Sequence, residues 1–595
     1  MLAMPLHRKS RRRFAVAAGV PAVLALTAGG FLFAQGAKAA NTIAVDVNAT
    51  QRLGTVSNIA NGLNTATFDG HLNDSAIIPA LSTAGINALR YPGGSTADAY
   101  HWQTNTTVDG LGYANPNNGF DDFMGIARKT GASPIITANY GSGTAEEAAA
   151  WVKYANVTKH YGVKYWELGN EIPGDGTYGS HWEEEKKPLG ATTYANNIAD
   201  YITRMKAVDP SIKVGAVLTT YNSWPDGSIA TRYGDTADWN TTVLKRDGAK
   251  LDFVIVHDYP SSNSESQLLG QYQHIASVIS HTRAEINRYA GSNASNVQIM
   301  ITETNASYES DSVPAALYAA DSYMTYLQHG VANVDWWDLH NGPSNISKLP
   351  DGTTDFGDGG VLSAGGCTGS VCEPAANTPF PVYYGLQAVG GLATPGAEMV
   401  GTSTSSSTVT SYAVKTSTGL NLMLVNHNAQ TSEPVSIDYA GFTPGSVTSA
   451  QQFSEANRKL VPISGLDARG LTLPPYSITI LKLSAGSTPS ASCTVTASTG
   501  SSWYGGYVEN VKITNHGPAT RNWTITFGLP ANTRVTNSWN LTRSQDGDTI
   551  TARAVSYDKT IPAGGTLPFG FVTAGSVQKV AQPTWYALNG VRCGS

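Results

Sequence analysis

Between Ile59 and about His340 a short apolar strand, a loop and a helical stretch recur eight times. Strands buried on both faces by crossover helices read as nearly continuous apolar runs. Eight runs fit that description: Ile59–Asn64, Ala88–Tyr91, Pro134–Asn139, Tyr165–Leu168, Val214–Val217, Phe253–His257, Ile299–Thr302 and Val334–Leu339. Between them lie segments such as Ala145–His160 and Ala191–Val208, where apolar residues return every three or four positions, as an amphipathic helix requires. Eight such units in about 280 residues predict an (α/β)8 TIM barrel. Polar and aromatic residues gather just past the strand ends, at Tyr91–Gly94, Asn139–Gly141, Asn170 with Glu171, His257–Pro260 and Glu303–Asn305. That is the face where barrels of this kind place their chemistry.

A chain of 595 residues is too long for one core, so further domains are expected. The barrel is assigned to residues 41–391. From about Leu392 to Leu483 the helical period gives way to alternating strands such as Thr408–Lys415, Leu420–Asn426 and Ser477–Leu483, which predicts a β-sandwich over 392–483. Thr42–Val47 alternates in the same way and can supply it with a strand. A polar stretch over 484–492, containing Pro489, reads as a linker, and 493–595 as an all-β domain of strands and turns.

The first 40 residues have the three parts of an export signal: basic residues up to Arg13, an apolar run Ala15–Phe33, and Ala37-Lys38-Ala39 before a cut after Ala39 or Ala40. The order Ser10-Arg11-Arg12-Arg13-Phe14 is similar to a twin-arginine signal. A secreted, extracellular protein follows, with no membrane association once the signal is removed. In that setting four cysteines read as two pairs: Cys493 with Cys593 around the last domain, and Cys367 with Cys372 around a short loop. Charged residues are only 14% and the net charge is -6, so no basic surface is available to neutralise phosphates and no nucleic-acid partner is expected. His71 and His101 lack metal-ligand spacing, and Gly93-Gly94 lacks the Lys and Ser of a phosphate loop, so neither a metal nor another cofactor is expected.

Cleaving a glycosidic bond takes two carboxyls facing each other across a cleft. One protonates the leaving oxygen, while the other attacks the sugar carbon or activates water. Glu171 ends the run Tyr165-Trp166-Glu167-Leu168-Gly169-Asn170-Glu171, leaving the fourth strand, and Glu303 ends Ile299-Met300-Ile301-Thr302-Glu303, leaving the seventh. Both then point into one barrel mouth. Glu167 alternates away from it and is expected to be structural or paired inside the barrel.

An Asn-Glu pair after strand four with a Glu after strand seven resembles the signature of clan A glycoside hydrolases, retaining barrel enzymes. The resemblance implies that Glu171 is the acid/base, Glu303 the nucleophile, and Asn170 a hydrogen-bond donor to the sugar 2-hydroxyl. The run Leu89-Arg90-Tyr91-Pro92-Gly93-Gly94-Ser95-Thr96-Ala97-Asp98-Ala99-Tyr100-His101-Trp102 resembles the strand-two motif of the α-L-arabinofuranosidase families of that clan. His257 and Tyr259 stand where the clan has strand-six groups touching the nucleophile. On this reading Arg90, Asn170, His257, Tyr259 and Trp337 serve substrate binding. Arg90 is expected to keep Glu303 ionised, a drier setting to raise the pKa of Glu171, and Trp336 with Trp337 to floor the sugar site.

Cys493–Cys593 resembles a family 2 carbohydrate-binding module, through its flanking cysteines, Trp503 followed by Gly505-Gly506, Trp523, Trp539, and Leu588-Asn589-Gly590. The resemblance implies a cellulose surface as partner, with Trp503, Trp539 and Tyr557 as the stacking rings and Tyr557 standing where tryptophan is usual. Trp523 lies in an apolar strand and is expected in the core. The function expected is a secreted retaining glycosidase acting on plant cell-wall polysaccharide, leaning toward α-L-arabinofuranosidase, anchored to cellulose. Thr304-Asn305-Ala306 departs from the tryptophan-bearing run usual after strand seven in those families. An endo-β-glucanase, a xylanase and a β-glucuronidase-like enzyme stay open beside it, as do an inverting mechanism and a non-catalytic wall-binding protein.

Overall fold

The structure is a computed structural model describing residues 42–174, 190–221, 238–486, 493–530, 533–575, 582–583 and 585–594. The expected export signal and most of the expected linker lie outside these residues.

Eight parallel strands close into a barrel: β1 Asn61–Asn64, β2 Ala88–Tyr91, β3 Ser133–Ala138, β4 Tyr165–Leu168, β5 Lys213–Val217, β6 Phe253–His257, β7 Gln298–Thr304 and β8 Val331–Trp336. Each pairs with the next, and β8 pairs with β1. Almost every strand residue is buried, the outer face under helices and the inner face against the opposite strands. The helices begin where local chemistry lets them. The Thr144 hydroxyl accepts the Glu147 N–H at the start of Ala145–Val152, and Ser312 accepts the Ala315 N–H ahead of Val313–Gln328, which carries Pro314 in its first turn.

Strand β8 runs Val331–Trp336, earlier than the Val334–Leu339 expected. The sequence mixes apolar and polar residues through the whole stretch and does not mark the end. Beyond Trp336 the chain leaves the regular ladder, with Trp337 N–H donating to Thr304 and Leu339 N–H to Asn64.

The next unit is one continuous nine-stranded sheet, and its members include the N-terminal strand Ile43–Thr55. That strand lies between Glu398–Thr404, which it pairs antiparallel, and Glu433–Ala440, which it pairs parallel. Period-two alternation sorts the side chains. In Gly419–Asn426, Leu420, Leu422 and Leu424 enter the sheet's own core, while Met423 and Val425 join the barrel's core. The helix Val313–Gln328 is therefore covered on both sides. Its buried Asp321 accepts from Tyr412 at 2.9 Å and pairs with His427 at 2.6 Å.

The last domain packs a four-stranded sheet and a five-stranded sheet around Trp523, Phe527, Phe569 and Phe571, with Trp523 fully buried as expected. Cys493 is bonded to Cys593 and Cys367 to Cys372. Among the described residues no helix is long and apolar enough to cross a membrane.

Candidate active site

The barrel mouth is built from strand ends. After β4 the chain turns through Gly169 at φ 81° and Glu171 at φ 47°. A Cβ on Gly169 would lie 2.8 Å from Ile172 and 2.9 Å from Tyr140, so only glycine fits there. Glu171 itself pays for a left-handed backbone, a conformation that persists in non-glycine residues only where the surroundings fix it. Glu303 stands near the end of β7, opposite His257 of β6 at a register shift.

Three groups converge on the two carboxyls. The Glu303 Oε1 accepts Arg90 Nη1–H at 2.8 Å and its Oε2 accepts the Tyr259 hydroxyl at 2.7 Å. His257 Nδ1 is 2.9 Å from Glu171 Oε1 and 3.4 Å from Glu303 Oε2, while its Nε2 is 3.1 Å from Thr302 Oγ1. One ligand-capable atom from each of Glu171, His257 and Glu303 falls within 4.8 Å of the others. The Glu303 side chain is only 6% exposed and that of Glu171 12%. Burial pushes the Glu303 carboxyl above its ordinary range, the Glu171 charge adds to the rise, and His257, Arg90 and Tyr259 pull it back. Arg90 thus acts in the expected direction, as one of three groups that hold the Glu303 pKa down against burial. Burial also raises Tyr259 well above 10.0, so it stays a donor.

Arg90 lies completely buried under the mouth. Its Nε donates to Glu167 at 2.6 Å, its Nη1 also to Asn64 at 3.0 Å, and its Nη2 to Asn170 at 2.8 Å. Glu167 is thus paired inside the barrel, and it also accepts the Thr137 hydroxyl at 2.7 Å. Arg90 reaches the cleft through Glu303 and Asn170. Asn170 Nδ2 is 3.4 Å from Ser95 Oγ.

Trp337 is half-buried beside Gly94, where a Cβ would lie 2.5 Å from its ring. Trp336 departs from expectation: it is fully buried, donating to Gly359 at 3.1 Å, and floors nothing. Sequence reading did not single out Asn64, Thr302 or the buried Asp338. Asn64 ends β1, Thr302 lies near the end of β7 and Asp338 follows β8, so closeness to a strand end was the available signal, and a buried carboxyl such as Asp338 carries no motif.

On the last domain Trp503, Trp539 and Tyr557 are 49%, 37% and 76% exposed, and Tyr504, not singled out from sequence, is 76% exposed. Trp503 sits opposite Gly506 and Trp539 opposite Gly570 in the strand register. A Cβ on Gly506 would lie 2.7 Å from the Trp503 ring, and one on Gly570 would overlap the Trp539 ring. Both indoles therefore lie down on bare backbone, with their outer faces toward solvent.

Residues 493–593 match the family model of the cellulose binding domain. The probable α-L-arabinofuranosidase C of Aspergillus fumigatus is 31% identical over 200 residues, 29% of this chain and 34% of that protein. Endoglucanase B of Cellulomonas fimi is 30% identical over 243 residues, 40% of this chain and 21% of that protein. The chain thus spans about a third or less of the length of these curated relatives. The solved α-L-arabinofuranosidase of Thermotoga maritima in its arabinose complex superposes with a TM-score of 0.58 at 19% identity, covering 74% of this chain and 100% of that one. This likeness shows a shared fold.

Proposed function

We propose that the protein is a secreted retaining glycoside hydrolase acting on hemicellulose, with α-L-arabinofuranosides as the favoured substrates, and that its last domain holds it on cellulose. The observation that carries this reading is the approach of Glu171 and Glu303, with atoms from both inside 4.8 Å. Retaining enzymes keep their carboxyls roughly 5 to 5.5 Å apart, whereas inverting enzymes need roughly 6.5 to 9.5 Å to admit water. The close pair supports attack by Glu303 on the anomeric carbon while Glu171 protonates the leaving oxygen. Water then enters with Glu171 as base, and the glycosyl–Glu303 ester breaks. Tyr259 holds Glu303 in line before attack and can turn its donor away as the carboxylate charge is spent.

Asn170, fixed through its carbonyl by Arg90, has its Nδ2 on a long contact to Ser95 that a sugar 2-hydroxyl can replace. Trp337 offers an apolar wall to the ring. The names of the similar proteins divide between arabinofuranosidase and endoglucanase, and the second reading, an endo-β-glucanase, rests on the Cellulomonas fimi relative.

The test is a product assay of the mature protein on arabinoxylan, arabinan, xyloglucan and cellulose. Release of arabinose alone is the expected outcome, and long oligosaccharides would move the reading to the endo-acting enzyme. Glu303→Gln should lower turnover on the order of 10⁴-fold or more, the scale of losing a covalent nucleophile. Unchanged hydrolysis would remove Glu303 from the reaction, and an unaltered protein that hydrolyses none of these glycans would leave a non-catalytic wall-binding protein.

A further inference from the structure

The Asn170–Glu171 turn has left the β4 ladder: Gly169 N–H makes the last ladder-like bond, to Ala138 at 3.1 Å. The next amide, that of Asn170, donates at 2.8 Å to Asp98 Oδ2. Asp98 is completely buried in the short helical segment Gly94–Ala99 after β2. Its Oδ1 accepts the N–H groups of Tyr140 at 3.0 Å and Gly141 at 3.3 Å, and its carbonyl accepts Ser142 N–H at 2.9 Å and Ser142 Oγ–H at 3.2 Å. One side chain thus ties together the loops following β2, β3 and β4. Asn170 is gripped wholly from residues 90–98: Arg90 on its carbonyl, Ser95 on its amide, Asp98 on its backbone.

We infer that Asp98 is the positioning residue of the proton-donating carboxyl, holding the peptide before Glu171 so that its side chain aims at the leaving oxygen. The inference rests on the glycosidase reading above. Asp98 touches neither substrate nor reacting atoms and acts through Asn170 and Glu171. Every one of its contacts asks it to accept. An asparagine there can serve one side only and turns an N–H donor against another N–H on the other.

Leaving-group dependence separates this role from general support of the fold. A phenyl leaving group needs the proton of a well-placed acid, whereas 2,4-dinitrophenolate departs without one. The full-length protein, wild type and Asp98→Asn, is assayed on phenyl and 2,4-dinitrophenyl glycosides of the sugar that the wild type releases. For the phenyl substrate kcat/KM should fall about 10- to 100-fold, part of the 10² to 10⁴ that general acid catalysis supplies. For the dinitrophenyl substrate it should fall less than about threefold. Asp98→Ser, which keeps an accepting oxygen without a facing N–H on the amide, should show the same split more weakly. Equal losses on both substrates, or no loss on either, would overturn the inference. So would failure of both variants to fold, since Asp98 would then be a prop for the mouth as a whole. A wild-type protein that cleaves no glycoside is a different result, and it removes the glycosidase reading itself.

Discussion

A guanidinium without solvent contact must be satisfied by its neighbours, and Arg90 divides its donors among Glu167, Asn64, Glu303 and Asn170. Removing one partner of a buried ion pair leaves the other charge stranded, typically at about 3 to 5 kcal/mol. Arg90→Met should therefore lower stability by about that amount in denaturant unfolding. It should also change the pH profile in a defined direction. In the proposed mechanism Glu303 works as a carboxylate; its native pKa is already raised by burial, and Arg90 is one of the groups holding it down. Without the cation the pKa rises further, so the acid limb of kcat/KM moves to higher pH, and an unmoved limb would contradict the pairing. Legibility at this scale was uneven. Glu171, Glu303, His257 and Tyr259 could be placed because each follows an apolar run whose strand number could be counted. Asp98 sat inside a run read as a whole for its resemblance, and nothing in linear order says that its carboxylate accepts amides 42 and 72 residues further on.

At the scale of elements, most barrel strands were legible because burial on both faces makes them mainly apolar runs bounded by polar loops, whereas β8, which carries Asn333 and Asp335, was found but misplaced by three residues. The nine-stranded sheet was legible as strands but not as an arrangement. Its two sides both take apolar residues, one for its own core and one for the barrel helices, so alternation marks strands without giving their neighbours. On the last domain the element that matters is a tryptophan lying across a glycine of the next strand. Gly570→Ala should tip the Trp539 ring off the sheet without altering any exposed residue. Depletion assays on crystalline cellulose should show binding weakened by about tenfold or more, as when an aromatic anchor is lost, with the melting temperature changed little beside it. Binding at wild-type strength would mean that the flat ring is not what cellulose meets.

For the whole molecule, the disulfide Cys493–Cys593 closes 100 residues, nearly all of the last domain. A loop of that length corresponds to at most about 4.7 kcal/mol in the chain-entropy picture. The double variant Cys493→Ser/Cys593→Ser should therefore lower the unfolding transition of this domain in calorimetry and cost cellulose binding at temperatures where the parent still binds. Glycoside turnover at moderate temperature should be retained, because the barrel core contains neither cysteine. Loss of both activities together would show that the domains unfold as one.

Ile43–Thr55 lies between Glu398–Thr404 and Glu433–Ala440, which sets a schedule for the newborn chain. The strand leaves the ribosome some 340 residues before its first partner is made, a wait of about 20 to 70 s at ordinary translation speeds. Throughout that interval its Ile, Val and Ala side chains have no sheet to enter, while the barrel strands emerge in order and can pair as they come. The earliest described segment to be synthesised is thus among the last to find its place, and until it does an apolar, unpaired strand needs shelter from its own kind.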